Sequence, residues 1–269
     1  MLMALSHLIP VDTFQCGFTA CPSLNLEKID QVALTDEDLG VHRVTSRTSH
    51  PLVVPPPESS DSAEPSDSGF PAPAFASRLA MDSASGGATH VVLSYRMMLQ
   101  SGWEWVKGGK LPGIFGGEGD LSYACTGGRK DNRCKCFNVR PMWRAKGNGE
   151  LYTYLPLTPH NRDPPSLQNN DYGFSVGCAA FNFDVAVGRW ITLAFRVKLN
   201  NVGSEDGELE LWVDGKSVIA VSGLQLRDSD KAHIKGAHFQ TFFGGHSEDW
   251  ASPKDQRAWF ADLTGVVIE

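Results

Sequence analysis

The feature that most constrains this sequence is a repeated alternation of apolar and polar residues with a period of two. In the segment T-H-V-V-L-S-Y-R-M-M-L-Q, five apolar side chains would lie on one face of a strand: Val91, Leu93, Tyr95, Met97 and Leu99. The segment W-I-T-L-A-F-R-V-K-L repeats the pattern with Leu193, Phe195 and Val197. Such alternation is typical of strands that bury one face. In E-L-E-L-W-V-D-G-K-S-V-I-A-V, the pair Asp214-Gly215 predicts a two-residue hairpin turn.

These segments alternate with turn-forming residues rather than with helices. The chain contains 27 Gly and 16 Pro, and no long segment shows helical periodicity. Many short strands joined by glycine-rich turns favour an all-β sandwich. We therefore predict an all-β sandwich or jelly roll, and such folds can present one broad, concave sheet, a shape suited to a long sugar chain.

Composition also bounds the organisation of the chain. We expect residues 1–20 to be a leader or flexible segment, residues 21–269 to form one domain, and residues 55–73, rich in Pro, Ser and acid, to be a mobile loop.

No apolar run reaches about 18 residues, so no membrane span is expected. A net charge of −7 argues against nucleic-acid binding but allows a local basic surface for an anionic substrate. We expect a monomer.

Six cysteines bear on the cellular compartment: Cys16, Cys21, Cys125, Cys134, Cys136 and Cys178. Their spacing fits no zinc-site pattern. Free buried thiols are one interpretation. We favour disulfides in a secreted protein, with Cys125 joined to either Cys134 or Cys136.

The segment W-E-W-V-K-G-G-K-L-P-G places Lys107 and Lys110 among glycines. One interpretation is a tight structural bend with solvated lysines. The other is a surface that lets a large, extended, anionic ligand come close to the backbone.

The segment C-F-N-V-R-P-M-W-R-A-K-G-N-G-E-L-Y-T-Y predicts two strands around a turn. Alternation puts Asn138, Arg140, Met142 and Arg144 on the polar face of the first strand, and Glu150, Tyr152 and Tyr154 on that of the second. A turn centred on Gly147 would bring Arg140 beside Tyr154 and Met142 beside Tyr152. Pro141 cannot donate to a strand ladder, which predicts an edge strand or a bulge.

This combination suits β-elimination on a uronic acid polymer. A cation or amide must neutralise the carboxylate next to the C5 proton, a base must take that proton, and an acid must protonate the leaving O4. Arg140 and Asn138 can hold the carboxylate, and Tyr or Lys can exchange the protons if burial shifts their pKa values. The scheme needs no cofactor and no metal. His246 is a further candidate for the substrate site, and surface tyrosines with solvated arginines are the plain structural alternative.

Four segments occur in order: K-G-G-K-L-P-G-I-F-G-G, N-V-R-P-M-W-R, E-L-Y-T-Y and F-F-G-G-H-S-E-D-W-A-S-P-K-D-Q-R-A-W-F-A-D-L. Together they resemble polysaccharide lyase family 14, especially its fungal branch, which is similar to alginate and glucuronan lyases. The resemblance implies a jelly roll and endo-type elimination on a 1,4-linked polyuronate, giving unsaturated ends. It places the family's essential lysine at Lys110, its serine–arginine strand at Asn138 and Arg140, and its tyrosine pair at Tyr152 and Tyr154. The resemblance thus implies that Lys110 reaches into the cleft, while Lys107 supports or steers the ligand. Asn138 stands where serine is usual, so the substrate preference is left open.

Two other functions fit parts of the sequence. A non-catalytic, lectin-like jelly roll would use the same aromatic and cationic face to bind polyuronates without cleaving them. A glycoside hydrolase needs two carboxylates at a defined separation, and Glu208 and Glu210 share one strand face. Their neighbours alternate as in a half-buried strand, which explains both glutamates as solvent-facing.

Overall fold

The computed structural model describes residues 42–44, 87–162, 167–169, 172–238, 241–245 and 247–269 of the chain. Within them the chain forms two antiparallel sheets. The six-stranded sheet contains β1 (His42–Val44), β2 (His90–Leu99), β9 (Ile191–Lys198), β10 (Gly207–Val213), β11 (Lys216–Leu224) and β14 (Gln256–Val267), in the order β1-β14-β2-β9-β10-β11. The predictions for residues 1–20 and 55–73 lie outside the described residues.

The second sheet is the one that carries the polar hairpin, and we call it the site sheet. It contains β3 (Gly108–Lys110), β4 (Gly113–Glu118), β5 (Cys136–Arg144), β6 (Asn148–Tyr154), β7 (Leu167–Asn169), β8 (Phe174–Asn182), β12 (Ala232–His238) and β13 (Phe242–Phe243). Its main order is β12-β4-β5-β6-β8-β7, and β3 pairs with both β5 and β13. This two-sheet arrangement is the predicted β-jelly-roll sandwich.

Helical structure in the described residues is short. The α-helix α1 spans Pro159–Arg162, and 3-10 turns span Gly119–Ala124, Arg133–Lys135, Ala145–Gly147, Phe183–Ala186 and Glu248–Trp250. Among the residues that the structure describes, no helix is long and apolar enough to cross a membrane.

The core lies between the two sheets and follows the predicted alternation. The site sheet contributes one face of β5, including Phe137, Val139 and Trp143, while β2 and β9 contribute the apolar positions predicted from sequence: Val91, Leu93, Tyr95, Met97, Leu99, Leu193, Phe195 and Val197. The hairpin at Asp214-Gly215 is also confirmed. Val213 pairs with Lys216, and the two turn residues have φ of +49° and +77°.

The hairpin of β5 and β6 has a different register from the predicted one. Arg140 pairs with Tyr152 and Asn138 with Tyr154, so the predicted pairing of Arg140 with Tyr154 is wrong by two residues. The turn is centred on Lys146 rather than on Gly147, and both residues adopt left-handed conformations, with φ of +61° and +76°. The faces are as predicted, since a shift of two residues preserves the alternation.

Pro141 does not lie on an edge strand, because β5 pairs with β6 on one side and with β3 and β4 on the other. Pro141 lies opposite the gap between the end of β3 and the start of β4, so its missing N–H leaves no strand pairing broken. There the N–H of Leu111 donates to the carbonyl of Pro141 at 2.9 Å. Pro112 is anchored from the core, since Tyr95 Oη donates to its carbonyl at 3.0 Å. The break in strand pairing that Pro141 requires therefore lies between β3 and β4, and β5 itself is continuous.

A disulfide joins Cys125 to Cys136, which is one of the two predicted pairings. It closes the segment 125–136 onto the start of β5. Cys134 and Cys178 are free and exposed rather than buried. Cys16 and Cys21 lie outside the described residues.

Candidate active site

The outer face of the site sheet brings the sequence-predicted residues into adjacent rows. Asn138 and Tyr154 form one cross-strand pair, and Arg140 and Tyr152 form the next. Lys110 enters from β3, where it pairs with Met142. Residues paired across neighbouring strands have side chains within contact distance of one another. One lysine, one arginine and two tyrosines from three strands therefore meet on one surface.

Gly113 allows Arg140 to pack closely against β4. Any side chain there would place its Cβ 2.2 Å from the carbonyl oxygen of Val139 and 2.6 Å from Cγ of Arg140. Because Gly113 has no side chain, the aliphatic part of Arg140 can pack against the backbone of β4. At this position the glycine therefore makes room for Arg140 within the sheet.

Lys110 is the amine of this cluster, and its pKa is strongly lowered. Its Nζ lies 4.8 Å from the centre of the Tyr152 ring and 5.4 Å from that of Phe242. Burial, together with the positive charges of Arg140 and Arg144, lowers the pKa of Lys110 to about 7, while Glu150 acts in the opposite direction. Near neutral pH a substantial fraction of this amine is therefore neutral and can accept a proton.

Arg140 is a buried cation with a fixed orientation. It is 5% exposed, its Nε donates to the carbonyl of Leu111 at 2.9 Å, and its Cζ lies 5.2 Å from the Phe242 ring centre. In an ordinary ladder that carbonyl would accept from the residue at position 141. Since Pro141 has no N–H, the carbonyl is free for the arginine. Burial lowers the pKa of Arg140 to about 10, so it remains charged at neutral pH.

Tyr152 and Tyr154 are both 7% exposed, and their ring centres lie 5.5 Å apart. Tyr154 Oη accepts the N–H of Gly128 at 3.0 Å and also a hydrogen bond from Tyr152. Burial raises the pKa of Tyr154, while these donors and the charges of Arg133 and Arg140 counteract part of the rise. Tyr154 is therefore a protonated phenol at neutral pH.

Asn138 is 3% exposed and has a partner that sequence reasoning missed. Its Nδ2 lies 2.9 Å from Nδ1 of His238, which is itself 5% exposed. Among the described residues, Asn138 Oδ1 is buried without a hydrogen-bond partner. Alternation along β12 puts His238 on an outer-facing position, but only the pairing of β12 with β4 brings it to Asn138.

Arg144 occupies the edge of the cluster and is neutralised there. Its guanidinium donates to Glu150 Oε1 from Nε at 2.8 Å, and Ser175 Oγ donates to the same oxygen at 3.0 Å. Its Cζ lies 5.4 Å from the ring centre of Tyr152. Arg144 thus supports Tyr152, with its own charge largely compensated.

The remaining candidates are not part of this cluster. The ammonium of Lys107 forms an ion pair with Asp249 and lies 5.7 Å from the Trp250 ring centre, and its side chain is 48% exposed. His246 lies outside the described residues. Glu208, considered for a hydrolase, bonds Lys198 and Arg196 on the six-stranded sheet.

The cluster has the charge balance of a site for an anion. Among the described residues, no carboxylate lies within ion-pair distance of Lys110, whereas Arg144 and Glu150 neutralise each other. In the same part of the chain, no group of three or more His, Cys, Asp and Glu side chains is arranged to hold a metal.

The jelly roll and its cationic and phenolic face fit a polysaccharide lyase, and the family comparison shows that the chain is of that class. The sequence profile of polysaccharide lyase 14 matches residues 52–263, and the chain belongs to that family. The comparison with curated proteins gave no significant match.

Solved structures agree with the assignment. The family 14 alginate lyase from Aplysia kurodai is 32% identical, with 68% of this chain and 71% of that chain covered and a TM-score of 0.61. The alginate lyase vAL-1 from Chlorella virus is 24% identical, over 66% and 71% of the two chains, with a TM-score of 0.57. The alginate lyase Aly36B, solved with an alginate trisaccharide, is 23% identical over 68% and 73%, with a TM-score of 0.56. The last two support the fold alone, and the fungal branch stays a prediction.

Proposed function

We propose that this chain cleaves a 1,4-linked polyuronate by endo-type β-elimination and leaves unsaturated uronic acid ends. The observation that carries the proposal is Lys110, an amine with a pKa of about 7, lying 4.8 Å from the ring centre of Tyr152 beside the buried cation Arg140. These are the three kinds of group that the elimination requires.

Arg140 neutralises the carboxylate of the sugar at the cleavage point. A guanidinium binds a carboxylate through two parallel N–H donors, and the Nη atoms extend beyond the Nε that Leu111 holds. Neutralising this carboxylate withdraws charge from C5 and makes its proton more acidic. Asn138 contributes its amide to the same carboxylate.

Lys110 acts as the base in this proposal. Its neutral amine takes the C5 proton, and the electron pair left on C5 forms the C4=C5 double bond as the C4–O4 bond breaks. The phenol of Tyr152 gives its proton to O4. The resulting Lys110 ammonium and Tyr152 phenolate are neighbours, so the excess proton returns to Tyr152 and restores the starting state. Tyr154 holds the Tyr152 hydroxyl in place through their hydrogen bond.

Alginate and glucuronan are both 1,4-linked polyuronates and are the proposed substrates. The 32% identity to an alginate lyase supports the first. A secreted protein acting on such a polymer also fits the Cys125–Cys136 disulfide, which persists in oxidising compartments.

The test is incubation of the protein with glucuronan and with each alginate block type, while ultraviolet absorbance of the C4=C5 double bond and solution viscosity are followed. Endo-type elimination makes viscosity fall early, well before absorbance approaches its plateau. Binding without absorbance would support the lectin-like alternative, and new reducing ends without absorbance would mean hydrolysis. Either result would overturn the proposal.

A further inference from the structure

The segment 125–136 covers one of the two tyrosines. The disulfide between Cys125 and Cys136 closes this segment, and both cysteines pack in one buried cluster with Tyr152 and Tyr154. From the same segment, the N–H of Gly128 donates to Tyr154 Oη at 3.0 Å. Tyr154 is therefore held by two elements, its own strand and this closed segment.

Arg133 is the charged residue of the segment that turns inward. It is 2% exposed, and its Nη2 donates to the carbonyls of Arg129 at 2.6 Å and Tyr172 at 2.7 Å. Its Nε donates to the Arg129 carbonyl as well, at 3.2 Å. All of these acceptors are neutral backbone oxygens, so they orient the guanidinium but do not cancel its charge.

The rest of the Arg133 guanidinium, including Nη1, lies against Tyr154. The Arg133 Cζ is 4.4 Å from the centre of the Tyr154 ring. Arg133 Nη1 is buried and has no hydrogen-bond acceptor among the described residues. A buried cation over an aromatic face interacts strongly with that ring, and a nearby positive charge favours the ionised form of a phenol over the neutral form.

We propose that Arg133 is a positioning residue for the elimination reaction, which acts through Tyr154 by fixing its ring and by making its hydroxyl a stronger acid. This inference rests on the proposed function, because the acidity of Tyr154 matters for turnover only if the tyrosine pair exchanges a proton with the sugar. A more acidic Tyr154 also makes the Tyr152–Tyr154 hydrogen bond easier to rearrange when Tyr152 gives up its proton.

A purely structural role for Arg133 predicts the opposite change in the pKa of Tyr154 when Arg133 is replaced. If Arg133 only ties the segment to the sheet, replacing it opens the segment and hydrates Tyr154. Because burial is the main cause that raises the pKa of Tyr154, hydration would lower that pKa toward the ordinary value of about 10. If Arg133 supplies charge, its removal raises the pKa further.

The first experiment is an ultraviolet titration of phenolate formation that needs no substrate. Subtracting the titration of Tyr154→Phe from that of the parent protein isolates Tyr154, and the same subtraction is made in the Arg133→Met background. We expect the Tyr154 midpoint to rise in Arg133→Met and to be largely restored in Arg133→Lys. An unchanged or lower midpoint overturns the proposal. Lys130→Met is the matched control, since Lys130 is an exposed cation of the same segment.

The second experiment is a double-mutant cycle on the elimination rate. Arg133→Met is expected to lower kcat about tenfold with KM changed less than twofold, because Arg133 is buried against Tyr154 and acts through that ring. In the Tyr154→Phe background the same change should have almost no further effect. Full additivity overturns the proposal. If no polyuronate is cleaved at all, the proposed function fails, while the titration still decides whether Arg133 acts on Tyr154.

Discussion

The ammonium of Lys110 lies 4.8 Å from the ring centre of Tyr152, and the two residues come from strands that do not pair with each other. β5 separates them, and it contributes Arg140 to the same surface. The sheet therefore sets the distance between the proposed base and the proposed acid, and no flexible loop intervenes. Groups built on strands are held more accurately than groups on loops.

Replacing Lys110 by arginine should abolish elimination while keeping a positive charge. A guanidinium stays protonated and cannot act as a base at neutral pH, so we expect kcat to fall by about 100-fold or more. In the parent protein, kcat/KM should rise with pH through about 7, as the Lys110 amine loses its proton. Initial rates across pH 5–9 test both points. A rate that falls over this range, or an active Lys110→Arg variant, would rule out Lys110 as the base.

Replacing Lys110 by methionine should stabilise the fold at low pH. The pKa of Lys110 is about 7 in the folded protein and about 10.4 for an exposed lysine. Between these values the unfolded chain binds the proton more readily, so the free energy of unfolding of the parent protein rises with pH across this window. Below pH 7 the buried ammonium imposes its full cost, which Lys110→Met removes.

Melting temperatures measured from pH 6 to pH 10 test this expectation. The advantage of Lys110→Met should be largest at pH 6, roughly 2–4 °C for each kcal/mol removed, and should shrink toward pH 10. Lys107→Met is the control, because Lys107 is exposed and paired with Asp249. An advantage that is constant with pH would show that packing, and not charge, is responsible.

Removing the hydroxyl of Tyr154 should affect turnover far more than stability. Tyr154→Phe deletes the acceptor of the Gly128 N–H and of the Tyr152 hydroxyl. We expect kcat to fall at least about tenfold, with a loss of about 1 kcal/mol in the free energy of unfolding. Tyr123→Phe is the matched control, since Tyr123 is 40% exposed. An equal fall in kcat in both variants would show that Tyr154 takes no part in the proposed reaction.

Pro141→Ala should loosen Arg140. Alanine restores an N–H that competes with Arg140 Nε for the carbonyl of Leu111. Weakening one hydrogen bond to a charged group costs about 1 kcal/mol or more, so we expect KM to rise roughly 5-fold, with a smaller change in kcat. Steady-state kinetics provide the measurement, with the exposed Pro253→Ala as control. An unchanged KM would mean that Pro141 does not fix Arg140.

Much of the fold followed from local patterns in the sequence. Alternation of period two identified the core faces of β2, β5 and β9, and the pair Asp214-Gly215 identified a hairpin turn. These patterns depend on neighbouring residues only. The same patterns put Arg140, Tyr152 and Tyr154 on one surface, because strand alternation is preserved even when the register shifts by two residues.

The errors and omissions have a different physical origin. The register depended on Lys146 adopting a left-handed conformation, which is uncommon for lysine and carries no sequence signal. Arg133, His238 and Phe242 were missed as site residues because they come from a disulfide-closed segment and from strands late in the chain. Only the long-range pairing of β12 with β4 and of β13 with β3 brings the last two to the site.

The short strand β3 has a consequence for how the protein becomes active. Lys110 is held between Met142 on β5 and Phe242 on β13, and Phe242 lies near the far end of the sequence. Contacts between such distant parts of a chain form late, since a long loop must close before they are made. A chain that lacks β13 would have the hairpin of Arg140, Tyr152 and Tyr154 but would leave Lys110 without its Phe242 contact, so the proposed base is supported only once β13 has paired with β3.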